Sequence, residues 1–198
     1  MSADPPAPAA ASQGAHFLES EWVFWEHRAP DKKQANYEDN MKKIGEFATV
    51  EDFWNHFNHI PKPSHFFFDG KTKKKFPDRT VEAFSLFKKS IKPEWEDPAN
   101  RTGAEWFCRK HFPQQQLDDF WQNLVLGMIG ETIDPADEIC GARVVDKSVI
   151  DKQRCVYRLE LWFRRKDQAV ADELLTRMQT ALGKSSTTTG CKWEFRPH

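Results

Sequence analysis

Long apolar runs are missing from this chain of 198 residues. Nothing approaches the roughly 20 apolar residues that a membrane-spanning helix needs. The N-terminus also lacks the basic segment and apolar run of a secretory leader, so no membrane association is expected. Cysteine is sparse. Cys108, Cys140, Cys155 and Cys191 are widely spaced and form no CxxC pair, which weakens zinc and dithiol readings. Reduced thiols and a cytoplasmic or nuclear location are expected. An excess of one charge is lacking too: 29 Lys and Arg against 30 Asp and Glu leave a net charge of −1. Proteins that hold long nucleic acids are strongly basic, because counterion release drives that binding. Any nucleic-acid contact should therefore be a small feature gripped locally. The seven His do not cluster at metal-ligand spacing. No Ser-His-Asp or Cys-His order stands out. Gly183-Lys184-Ser185 lacks the earlier Gly of a phosphate loop, since Met178 stands there. No metal, cofactor or enzyme chemistry is expected.

Aromatic residues are abundant, with eight Trp and sixteen Phe beside only two Tyr. Tryptophan buries a large apolar area and offers the best cation–π face. Most of the eight should be core. Residues 1–15 are rich in Pro and Ala and read as a disordered N-terminal arm. Residues 16–198 then read as one domain, expected to be a monomer. Strands are expected at Trp22–Glu26, Met41–Phe47, Glu82–Ile91 and Gly103–Lys110, with a hairpin of Glu138–Lys147 and Arg154–Phe163 and a last strand at Cys191–Phe195. A helix should start at Thr49, an N-cap followed by Glu51 and Asp52. Leu117–Ile129 carries an apolar stripe at helical spacing, and Asp167–Leu182 is amphipathic with Gly183 as its stop. The order β-β-α-β-β-α-β-β-α-β favours an α+β fold with an antiparallel sheet and helices on one face. A long loop separates Pro61 from Thr80.

Several segments, taken in order, resemble the translation initiation factor 4E family of messenger-RNA 5′-cap-binding proteins. They are Thr49-Val50-Glu51-Asp52-Phe53-Trp54 with Asn58-His59-Ile60, Ser85-Leu86-Phe87-Lys88, Ile91-Lys92-Pro93-Glu94-Trp95-Glu96-Asp97, Asp119-Phe120-Trp121, Ile129-Gly130-Glu131 and Cys140-Gly141-Ala142. The resemblance covers about residues 16–198. It implies a curved antiparallel sheet with three helices on its convex face and a cap pocket on its concave face. It also implies that the chain ends at a family strand, short of the C-terminal loop that usually follows.

7-Methylguanine carries a delocalised positive charge, so electron-rich rings should sandwich it. A carboxylate at its Watson–Crick edge can accept both N1–H and N2–H. The resemblance makes Trp95 one stacking wall and Glu96 that carboxylate. It places Tyr37 where the second stacking Trp usually stands, a smaller ring with weaker cation–π attraction. Trp162 aligns with the Trp that touches the N7-methyl group. Cations should line the exit for the cap triphosphate, and the matching positions are Lys147 and Arg158, with Arg154 and Lys152 in the connection between them. Glu105 stands where the family commonly has Arg, which removes a cation from the phosphate side.

The family also binds a 4G-type scaffold or a 4E-binding repressor through a Tyr-x-x-x-x-Leu-Φ helix laid on its convex back. The matching positions are Val50, Trp54 and Leu126, joined by His16 and Phe17, while Gln122 replaces a usual Leu. The lysines from Lys71 to Lys75 lie in the long loop, where a solvated, mobile run is the simplest account. The implied function is binding of capped mRNA and recruitment of a scaffold for translation initiation. The alternative is a homologue that binds cap weakly and represses translation by competing for partners, a reading that the Tyr37 and Glu105 departures keep open.

Overall fold

The computed structural model describes residues 14–30, 40–134, 136–183 and 190–198. The elements run β1 (Phe17–Arg28), β2 (Met41–Thr49), α1 (Val50–Phe57), β3 (Val81–Lys88), α2 (Pro98–Arg101), β4 (Ala104–Lys110), α3 (Gln114–Ile129), β5 (Ile139–Asp146), β6 (Tyr157–Phe163), α4 (Gln168–Leu182) and β7 (Glu194–Pro197). The seven strands form one curved, open antiparallel sheet in the order β2-β1-β3-β5-β6-β4-β7. Three long helices, α1, α3 and α4, cover one face as expected, and a single short turn of helix, α2, is added in the β3–β4 connection.

Alternation along the strands sorts side chains between the faces. Trp22, Phe24, Phe84, Leu86, Val144, Leu159 and Leu161 point to the helices and join Phe53, Leu117, Phe120, Leu124, Leu174 and Met178 in the main core. The intervening residues, among them Trp25, Phe87, Trp162, Arg143, Arg158 and Glu105, line the concave face. Local signals fix the helix ends. The Thr49 hydroxyl accepts the Asp52 N–H at 3.1 Å, and the Asp167 carboxylate accepts the Val170 N–H at 3.1 Å, each satisfying one orphan donor. Gly183 ends α4 with φ of 85°, a conformation that favours glycine.

Several expected boundaries move: β3 ends at Lys88 rather than Ile91, β6 starts at Tyr157 rather than Arg154, and α3 starts at Gln114 rather than Leu117. β1 begins at Phe17, five residues before Trp22, because its exposed first part is held by β2, with Phe17 opposite Thr49. The last strand lies at Glu194–Pro197, set by pairing with β4 from Phe107↔Glu194 to Ala104↔Pro197. The loop from residue 61 to 80 is packed rather than solvated: Phe66, Phe67 and Phe68 are buried. Lys73 pairs with the buried Asp146 at 2.9 Å, and the Lys74 ammonium lies 5.1 Å from the Phe76 ring. Only part of the lysine run is therefore solvated. The expected arm at residues 1–15 falls almost wholly outside the described residues. Among the described residues, no helix is long and apolar enough to cross a membrane.

Candidate functional site

The connection between β3 and β4 holds the exposed aromatic face. Asp97, the N-cap of α2, accepts the Ala99 N–H at 2.9 Å. Its other oxygen accepts the Lys92 N–H at 2.9 Å. The buried Asn100 side-chain amide donates to the carbonyls of Lys92 and Glu94, each at 2.8 Å. These side-chain-to-backbone bonds replace the ladder that a loop lacks. They close the segment 92–100 into a tight bend with Trp95 and Glu96 at its tip. Trp95 is 51% exposed, and Trp54 is the other Trp among the large exposed hydrophobics. Glu96 is exposed and makes no hydrogen bond or ion pair among the described residues. Its neighbours are engaged, Glu94 with Lys92 at 3.7 Å and Asp97 with the backbone. Among the described residues, a carboxylate without a partner thus stands next to an open indole.

Behind Trp95 the sheet is filled with rings. Trp162 lies 6.5 Å from Trp95 at an interplanar angle of 33°, and His198 lies 6.2 Å away at 30°. Trp162 is 1% exposed, so contact of its ring with a ligand methyl group requires a shift of its cover. Gly141 opposite Trp162 is obligatory here, because a Cβ would meet the Phe87 ring at 2.4 Å. Phe87 in turn meets Trp162 edge to face at 5.5 Å.

Charges cross the concave floor in an alternating row. From β5 to β7 it runs Arg143, Glu160, Arg158, Glu105 and Arg196. Arg143 lies 3.8 Å from Glu160, and Arg158 lies 3.1 Å from Glu160 and 2.5 Å from Glu105. Arg196 reaches the same Glu105 oxygen at 2.5 Å. The Trp162 indole N–H donates to Glu160 at 2.9 Å. Burial and the Glu160 carboxylate push Glu105 up to about 7, against the pull of Arg158, Arg196 and Arg143. The row holds three arginines and two carboxyl groups, so its charge is +1 with both ionised and rises toward +2 as Glu105 takes up its proton. Arg158, expected on phosphate, is already shared by two carboxylates.

Lys147 lies at the end of β5 with its side chain exposed, on a cavity of about 200 Å³ shared with His27, Arg143 and Val145. His27 is buried and bonded to Ser85 at 2.8 Å. Burial, with Arg143 nearby, holds it well below the usual histidine value, so it is neutral. Lys152 and Arg154 are exposed in the β5–β6 connection, where Val149 bridges Arg154. Tyr37 lies outside the described residues.

On the convex back, Val50 and Trp54 are 36% and 38% exposed. Trp54 lines a cleft of about 150 Å³ with Phe57, Ile60, Trp121 and Gln122, between α1 and α3. Leu126 is half-buried, one turn further along α3. His16 and Phe17 are tied to the start of α1: the His16 carbonyl accepts the Val50 N–H at 2.9 Å, and the His16 ring meets Glu51 at 2.6 Å. Phe17 is 74% exposed. The structure thus ties His16 to the start of α1 at Val50 and Glu51, while Trp54 lines a cleft whose lining includes none of Val50, Leu126, His16 and Phe17.

Sequence reasoning did not single out Asn100, Arg143, Glu160 and Arg196. Asn100 had no local signal. The Asp97-Pro98 pair, a cap followed by Pro at the first helical position, was the available clue to α2.

Fold and site together define an α+β protein with an aromatic, carboxylate-bearing concave face and an apolar cleft between helices on its back. The chain belongs to the family described as eukaryotic initiation factor 4E, whose model matches residues 17–198. That family comprises translation initiation factors, not enzymes. The chain is 39% identical over 129 residues to the wheat (Triticum aestivum) eukaryotic translation initiation factor NCBP, covering 65% of this chain and 50% of that protein. It is 33% identical over 176 residues to translation initiation factor 4E-2 of Schizosaccharomyces pombe, covering 88% of this chain and 65% of that protein. The chain therefore spans about half to two thirds of the length of these relatives. Among solved structures, Ascaris suum eIF4E-3 with m7G cap superposes with a TM-score of 0.74 at 28% identity, covering 93% of this chain and 92% of that one. C. elegans eIF4E-3 with the 4E-binding protein Mextli and cap analog gives 0.72 at 28% identity, with 93% of each chain covered.

Proposed function

We propose that this protein binds the 7-methylguanosine cap of mRNA on its concave face and docks an initiation scaffold or a 4E-binding repressor on its back. The observation that carries this reading is the pairing of an open Trp95 with Glu96, which has no partner among the described residues, on a bend that Asp97 and Asn100 close. The cationic base stacks on Trp95, and its N1–H and N2–H donate to Glu96. Tyr37 is the opposing wall. Trp162, buried beneath Trp95 and His198, meets the methyl group once that cover shifts. Lys147 and Arg158, with Lys152 and Arg154 further out, meet the triphosphate. Val50, Trp54, Leu126, His16 and Phe17 receive a Tyr-x-x-x-x-Leu-Φ helix, its apolar side chains entering the cleft between α1 and α3. The protein acts in cytoplasmic translation as a monomer, with residues 16–198 as the binding domain.

Titration of intrinsic Trp fluorescence with 7-methyl-GTP and with GTP tests this. Quenching that saturates at much lower 7-methyl-GTP is expected; no quenching by either nucleotide at high micromolar concentration contradicts cap binding. One observation supports a second reading, a weak cap binder that competes for partners. Arg158 is bound to Glu105 and Glu160, so a triphosphate must compete with two carboxylates for it.

A further inference from the structure

We propose that Arg196 sets how strongly the site discriminates 7-methylguanine from guanine, by holding a cation against the rear face of Trp95. This rests on the cap-binding reading above. Nothing in the alignment of motifs points to Arg196; its position does. The guanidinium carbon lies 5.0 Å from the Trp95 ring centroid. The same guanidinium bonds to Glu105, a carboxylate with no solvent exposure, which fixes it in place. His198, two residues on, stacks near-parallel to Trp95. It locks the end of β7 to the Trp95 loop by hydrogen-bonding the Asn100 carbonyl at 2.8 Å.

β7 is the end strand of the sheet. Its Arg196 and the following His198 both lie against the Trp95 ring, and in this proposal the base takes the opposite face of the indole. Burial lowers the His198 pKa and Trp162 is uncharged, so of the three described groups against Trp95 it is Arg196 that brings a charge.

An indole has one π system with two faces. A cation behind it draws on the same electron density that a cationic base in front needs, and the two positive charges repel through the ring. Neutral guanine loses nothing of this kind. Arg196 should therefore weaken stacking of the methylated base selectively. Phosphate contacts are common to both nucleotides, so any change in them cancels in the ratio of affinities.

The test compares Kd for 7-methyl-GTP and GTP in the parent, Arg196→Gln and Arg196→Lys. Gln keeps an amide to bond Glu105 without charge, and Lys keeps the charge. The expected result is a ratio raised roughly two- to fivefold in Arg196→Gln, the size of one exposed cation–π contact, and a near-parental ratio in Arg196→Lys. An unchanged or lowered ratio in Arg196→Gln, with binding intact, overturns the role of Arg196 and leaves the cap site standing. A parent that binds neither nucleotide overturns the cap-binding reading, and this inference with it.

Discussion

The Asp97 carboxylate accepts the backbone N–H of Lys92 at 2.9 Å and so closes the bend that carries Trp95 and Glu96. One side chain thereby serves as helix cap and loop clasp, which ties the start of α2 to the ligand-facing residues. Asp97→Ala removes both bonds. The expected cost is about 1 kcal/mol of local order, appearing as roughly fivefold weaker 7-methyl-GTP binding with little change in thermal unfolding. Calorimetric titration of the variant checks it.

Glu105 should make stability depend on pH. In the unfolded chain it ionises near its ordinary value of 4.5, and in the folded protein near 7. Between these values the unfolded chain gives up the proton while the folded protein keeps it, so stability falls as pH rises across that window. The loss attributable to this group is up to about 3 kcal/mol. Glu105→Gln should flatten the decline, measured as the difference between urea denaturation of parent and variant from pH 4.5 to 7.5. Parallel curves would show that Glu105 ionises normally.

Trp54 is half-open on the back, edge-on to Phe53 at 4.9 Å and Phe57 at 6.0 Å. Trp54→Ala should cost about 2 kcal/mol or more in binding a Tyr-x-x-x-x-Leu-Φ peptide, as an aromatic anchor does, and leave 7-methyl-GTP affinity unchanged. Fluorescence anisotropy with a labelled peptide measures the first, nucleotide titration the second.

The lysine run divides by function. Lys73→Ala strips the ion partner from Asp146, whose side chain is 1% exposed, and should destabilise the fold by about 3 kcal/mol. The Asp146 bonds to the N–H groups of Phe68 and Ser148, both at 3.0 Å, remain. Lys71→Ala and Lys75→Ala, at exposed positions, should change stability by less than about 0.5 kcal/mol. Urea denaturation of the three variants separates them.

Elements with local signatures were legible in the sequence. Thr49 as a cap, the α3 stripe and the Asp167 and Gly183 ends of α4 each depend on neighbours within a few residues. Trp95 and Glu96 were singled out as candidate base contacts through the run around them, and the Asp97 and Asn100 clasp that holds their bend lies within a few residues of them. The charge row was not, because its members lie on β5, β6, β4 and β7, and the spatial order of those strands is not their order in the chain. Glu105 read as the loss of a surface cation; once β6 and β7 flank β4, it is a buried carboxyl group between two arginines. Lys73 read as solvated because its partner Asp146 is remote in sequence.

Glu96 offers the most direct test of the site. Calorimetric titration with 7-methyl-GTP should show the parent binding, and Glu96→Ala binding at least tenfold more weakly with its thermal unfolding unchanged. This is the loss expected when paired N–H donors give up a charged acceptor. Equal affinity in parent and Glu96→Ala would contradict the assignment of the concave face as a 7-methylguanine site built on Trp95 and Glu96.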